Sequence, residues 1–318
     1  MRNIITAAKP WFYKLLLVIG MGAVTVSVSE VWFYPLTTDT STVGILLFYG
    51  VFGYTFILLL ERFRVRHFSA LFVVAAIFGF LVEGVPVPVL YSGLPFTIVW
   101  TSLAWHAVFT IAAGWYWFRI RAAKMHSLAL LGIFTLSGIG LGLWNSFMWN
   151  AELNESTGVL TYTWIEPQLF AEQFLLGYLL FVGGHWLLSR IPTTIAFNRY
   201  EMWLLSGLLL FSYGSIALLP LFPFSLVLPV LLFLCWIPLQ KHRAHHSATT
   251  TRDTLISKQS LSKWVYGSSL LLPISAIGTY WVSYQYQIEL EMNAILIITA
   301  GPLSVFWFIR GLWRTYRN

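Results

Sequence analysis

A histidine and a carboxylate set inside otherwise apolar runs are the residues of this chain best placed to do chemistry. His106 lies about ten residues into the run that begins near position 96, with Ser102 four residues before it and Thr110 four after, so an α-helix there carries one polar stripe. The preceding run carries Ala75, Gly79 and Glu83 at the same spacing, and its small residues allow a neighbouring backbone to come close. Side chains lean toward the N-terminus of their own helix. On two antiparallel helices joined by the short Val85–Pro95 link, Glu83 and His106 therefore lean toward one another. Such a pair fits three roles: general acid–base catalysis by a carboxylate-oriented imidazole, relay of a proton or ion along a transport path, or simple hydrogen bonding between helices.

Two further carboxylates stand about one turn inside apolar runs, where a charge costs roughly 2.5–3.5 kcal/mol. These are Glu172, one turn after Gln168, and Glu30, one turn after Ser27. The candidate catalytic set is thus His106, Glu83 and Glu172, with Glu30, Ser102, Thr110 and Gln168 along a substrate or transport path. His185 points to a different face from Glu172 and lies near the cytosolic end of its helix; Gly183 and Gly184 beside it read as a close helix contact. The sequence names no cofactor and no metal site.

The elements that position these residues follow from composition. Hydrophobic residues make up 58% of the 318 and charged residues 10%, against about 25% charged in a soluble domain. Mean hydropathy is +0.74. At about twenty apolar residues per bilayer crossing, the spans fall near 12–34, 42–60, 68–87, 96–118, 127–149, 168–189, 202–219, 222–239, 264–286 and 292–312. The expected fold is an all-α, polytopic membrane bundle of about ten helices forming one domain over 1–318. The division at Pro220 and Pro223 reads either as two full spans or as a re-entrant pair.

All 19 basic residues then fall on one side. They occupy the N-terminal segment, the links after the second, fourth and sixth runs, a longer loop holding Lys241, Arg243, Arg252, Lys258 and Lys263, and the C-terminal Arg310, Arg314 and Arg317. By the positive-inside rule both termini are cytosolic, in an integral multi-pass protein of the cell membrane. The net charge of +7 is accounted for by lipid headgroups as the partner and not nucleic acid. Acids such as Asp39, Glu152 and Glu155 gather on the opposite side. Most of the 16 tryptophans fall at span ends and read as an aromatic belt: Trp32, Trp144, Trp149, Trp164 and Trp281 outside, Trp115, Trp117, Trp186, Trp203, Trp264 and Trp313 inside.

His242, His245 and His246 form an H-x-x-H-H string that resembles one iron-binding box of membrane desaturases and hydroxylases. The resemblance covers five residues, and the companion boxes are absent, so a polar basic loop is the preferred reading. Phosphate-loop, dinucleotide and zincin motifs are missing too. The function expected from sequence is an intramembrane enzyme acting on a lipid-like or isoprenoid substrate, a hydrophobic small molecule, from the outer half. The alternatives are a proton- or ion-coupled transporter and a noncatalytic membrane subunit. Oligomeric state is open.

Overall fold

The computed structural model describes residues 2–34, 42–154, 156–191, 197–245 and 261–317. Within them the chain forms ten helical rods. They are α1 (Arg2–Val26, continued by a wide turn Ser27–Val31), α2 (Thr42–Arg62), α3 (Phe68–Gly84), α4 (Ile98–Arg121), α5 (Ser127–Met148), α6 (Pro167–Ser189), α7 (Arg199–Ser212, continued by Tyr213–Leu218), α8 (Val227–His245), α9 (Lys263–Ser269 and Leu271–Tyr286) and α10 (Met292–Arg317). Pro273 has no N–H to return to the Ser269 carbonyl, which fits the division of α9 at Leu270.

Eight helical segments are long and apolar enough to cross a membrane. The other two rods are α3, apolar but only 17 residues long, and α6, which has 23 residues but carries Gln168, Glu172, Gln173 and His185. The segments around Pro220 and Pro223 are two separate helices, each of crossing length.

The α3 helix is the axis of the bundle. It is hydrophobic all round, buried without interruption from Ala70 to Val82, and packs against α2, α4, α8 and α10. Gly79 sets its approach to α4, since a Cβ there would lie 2.2 Å from the Ser102 carbonyl oxygen. Around this axis α1 packs on α2 and α6, and α5 on α9. No residue of Arg199–Ser212 in α7 is buried, so this helix rides on the outside.

Several expectations are corrected. The Asn150–Pro167 link is not plain loop: β1 (Ala151–Asn154) pairs antiparallel with β2 (Val159–Tyr162), Ala151 facing Tyr162, which adds a small hairpin to an otherwise helical chain. The belt reading fails for Trp32, Trp115, Trp144 and Trp149, which are buried inside the bundle, whereas Trp186, Trp203, Trp264, Trp281 and Trp313 are exposed. Arg119 is not a link residue. It is 3% exposed within α4 and donates to the carbonyls of His185 (3.3 Å) and Leu188 (3.0 Å). His242 and His245 belong to α8 and not to a loop. Asp39, Glu155, His246, Arg252 and Lys258 lie outside the described residues.

A candidate proton-transfer site

The α4 helix winds more widely than an α-helix, its end being capped by a bond from the Ala122 N–H to the Trp117 carbonyl five residues back. Thr110 Oγ1 likewise reaches the Trp105 carbonyl, five residues back, at 3.1 Å. The i, i+4, i+8 repeat is therefore not the true period of this helix, although Ser102, His106 and Thr110 are all buried. Ser102 sits at the Gly79 crossing, and its hydroxyl has no hydrogen-bond partner among the described residues.

The structure brings Glu83 and His106 together. Glu83 Oε1 lies 2.8 Å from His106 Nε2, and the two side chains are 12% and 2% exposed. The other ring nitrogen, Nδ1, lies 3.4 Å from Ser29 Oγ, which in turn is 2.8 Å from Thr110 Oγ1. Ser29 reaches these groups because the end of α1 widens over Ser27–Val31; its own carbonyl is held by the Trp105 indole N–H at 3.1 Å. One residue on, Glu30 accepts a hydrogen bond from the Tyr49 hydroxyl of α2. The Tyr49 ring stands 6.3 Å from the imidazole and Phe78 presents its edge at 5.9 Å.

Helices α1, α3 and α4 thus supply one hydrogen-bonded chain, with the Glu30–Tyr49 pair beside it, and the protons of the chain can run either way. In one arrangement the His106 Nε2–H donates to Glu83, Ser29 donates to Nδ1 and Thr110 donates to Ser29. In the other, Thr110 donates to the Trp105 carbonyl, Ser29 to Thr110, and Nδ1–H to Ser29. The second arrangement pairs every group only when one further proton lies between Glu83 and Nε2, so passing from the first to the second takes up a proton and turns both hydroxyls.

Beside this chain, across a wall of Trp105, Phe33 and Trp144 with ring centroids 4.4–5.1 Å apart, lies an apolar cavity of about 290 Å³. Val28 and Phe33 of α1, Phe109 of α4, Phe181 of α6 and Leu296 of α10 line it. Ala113 and Ser137 on its wall are exposed, so it is open to the outside of the bundle.

Not every candidate joins. Glu30 stands beside the chain, next to Ser29 in sequence and bonded to Tyr49. Glu172 and Gln168 do not: both are exposed on α6 and pair with one another at 2.9 Å. Ser29 and Tyr49 carry no sequence signal, being one hydroxyl among several near the end of a run and one tyrosine in an aromatic-rich helix. A second polar cluster was half legible. His185 is buried against α4, its Nε2 3.1 Å from the Gly114 carbonyl, and its own carbonyl accepts from the guanidinium of Arg119. Of the two glycines beside it, Gly184 marks a helix crossing, 2.8 Å from the Gly20 carbonyl for an added Cβ, and Gly183 faces open space.

Among the described residues no group of three or more His, Cys, Asp or Glu is arranged to hold a metal ion. His242 is buried near His67, ring centroids 6.2 Å apart, while His245 Nδ1 bonds its own helix at the Lys241 carbonyl. No family model matches this chain, and no characterised protein or solved structure matches it. The chain is a multi-pass helical membrane protein whose best-organised polar group is the Glu83–His106 pair and the hydroxyls around it.

Proposed function

We propose that this protein is an intramembrane enzyme of the outer half of the bilayer, with His106 as acid–base catalyst and Glu83 as the carboxylate that orients it. The observation that carries the reading is the 2.8 Å Glu83–His106 bond, nearly closed off from solvent and next to an apolar cavity. With Glu83 fixing Nε2, the long 3.4 Å contact leaves Nδ1 as the nitrogen free to exchange a proton, directly or through Ser29. A lipid-like or isoprenoid substrate fits the lining of the neighbouring cavity, whose volume of about 290 Å³ is at the small end for a ligand site. In this topology the chain crosses ten times with both termini cytosolic, in keeping with its one-sided cations.

The test compares lipid extracts, by mass spectrometry, from cells producing the wild type and the His106→Ala protein. A lipid species that changes with the wild type and not with the variant supports the enzyme. A second reading, a proton-coupled transporter, draws on the reversible hydroxyl chain and on the buried His185–Arg119 cluster deeper in the bundle. Unchanged lipids together with proton flux into proteoliposomes that His106→Ala abolishes would replace the first reading by the second.

A further inference from the structure

Arg310, Arg314 and Arg317 recur on one face at the end of α10, and none forms an ion pair among the described residues. Arg310 and Arg317 instead lie over the rings of Phe306 and Trp313, at 5.6 and 4.8 Å. The three guanidinium groups border a cleft of about 890 Å³ whose opposite wall is the first turn of α3. That helix begins at His67 without a side-chain cap, so the N–H groups of Phe68 and Ser69 have no intrahelical partner, and the positive end of the helix dipole faces the arginines. Gly311 holds α10 close to this turn, an added Cβ lying 3.2 Å from the Ser69 carbonyl.

The cleft does not end there. Phe68 and Trp307 also border a second cavity of about 290 Å³ along α4, with Ala112, Ala113, Trp117 and a fourth arginine, Arg121, on its wall. Ala113 and Trp117 in turn border the apolar cavity described above. The three cavities share these residues and so adjoin along α4, as a groove leading from the arginines and a helix N-terminus to an apolar lining.

We infer that this groove binds one anionic phospholipid, its phosphate in the arginine cleft and one hydrocarbon chain along Ala112, Ala113 and Trp117. Guanidinium forks and backbone N–H groups are suited to phosphate oxygens, and the aromatic rings beneath them cover the acyl chain where it leaves the headgroup. This site shares Ala113 and Trp117 with the cavity beside the Glu83–His106 pair but none of the pair's own residues, and it does not rest on the enzyme reading.

Native mass spectrometry of the full protein with phosphatidylglycerol, phosphatidylcholine and glycerol 3-phosphate tests it. One phosphatidylglycerol is expected to be retained in preference to phosphatidylcholine. R310Q/R314Q/R317Q should weaken its binding about a hundredfold, taking roughly fivefold per cation at a membrane surface. R310K/R314K/R317K should restore most of the binding if charge is the cause and the helix is intact. Ala113→Trp, which narrows the groove away from the cations, should weaken phosphatidylglycerol and leave glycerol 3-phosphate unaffected. Equal retention of phosphatidylcholine, or unchanged phosphatidylglycerol binding in the glutamine variant, would overturn the site. Glycerol 3-phosphate binding as tightly as the lipid would reduce it to an anion site and overturn the lipid.

Discussion

Removing both partners of the Glu83–His106 bond should cost less than the sum of the two single losses. The bond is 2.8 Å long between side chains 12% and 2% exposed, so neither group has water to fall back on when its partner is lost. A buried donor or acceptor left unpaired costs about 1–3 kcal/mol, more for a charged group. Glu83→Ala strands the Nε2 of His106. His106→Ala strands the Glu83 carboxylate and also removes the acceptor or donor facing Ser29. Each single variant is therefore expected to lose about 2–3 kcal/mol of stability. In the double variant both orphans vanish together, and the coupling energy should be about 1–2 kcal/mol, near the upper limit measured for polar pairs between membrane helices. Reversible unfolding in mixed micelles, followed by steric trapping, measures all four corners of the cycle. A coupling under about 0.5 kcal/mol would mean the two groups do not act as a pair, and the site argued from them would fall. Glu83→Gln should be milder than Glu83→Ala in this assay, because the amide oxygen still accepts from Nε2–H. In an activity assay, by contrast, E83Q and H106A should both abolish turnover and the double variant should be no worse than either.

Other outcomes follow from the same geometry. Gly79→Ala should loosen the α3–α4 contact and cost about 1–3 kcal/mol in thermal unfolding, because its Cβ would meet the Ser102 carbonyl oxygen at 2.2 Å, whereas Gly183→Ala, with nothing within 4 Å, should be neutral or slightly stabilising. Single-cysteine labelling in intact cells should mark position 154 from outside and positions 247 and 318 only after permeabilisation; outside labelling at 247 would overturn the proposed topology. Burial, then the charges of Glu289 and Glu291, raise the Tyr162 hydroxyl above the ordinary tyrosine value of 10.0. The sign follows from linkage: a folded-state value above the unfolded one leaves stability unchanged below pH 10 and lowers it as pH rises past 10 toward the folded value. NMR of ring-labelled tyrosine should show the Tyr162 midpoint fall, though not all the way to 10, in the Glu289→Gln, Glu291→Gln double variant.

What the sequence determined is the set of elements and one close pair. A bilayer demands about twenty apolar residues per crossing, and the ten runs read on that rule overlap the ten rods, although α1 begins at Arg2, well before its run, and α8 and α10 continue past theirs to His245 and Arg317. Glu83 and His106 were legible because they lie on consecutive helices with a short link, which fixes adjacency and direction, and because an ionisable group in an apolar run stands out against its neighbours. What the tertiary structure decided is the rotation of each helix about its axis. In a soluble protein polar and apolar faces encode that rotation. Here lipid-facing and core-facing positions are equally apolar, so periodicity does not distinguish them. Hence Trp115 and Trp144 are buried where a belt was read, and Glu172 is exposed where a site was read. Ser29 enters the hydrogen-bonded chain only through the wide turn at the end of α1, Tyr49 reaches Glu30 beside it only through the packing of α2, and Arg119 is buried only because α6 offers it two carbonyls. Those are distances between helices remote in sequence, and nothing in the local order of residues specifies them.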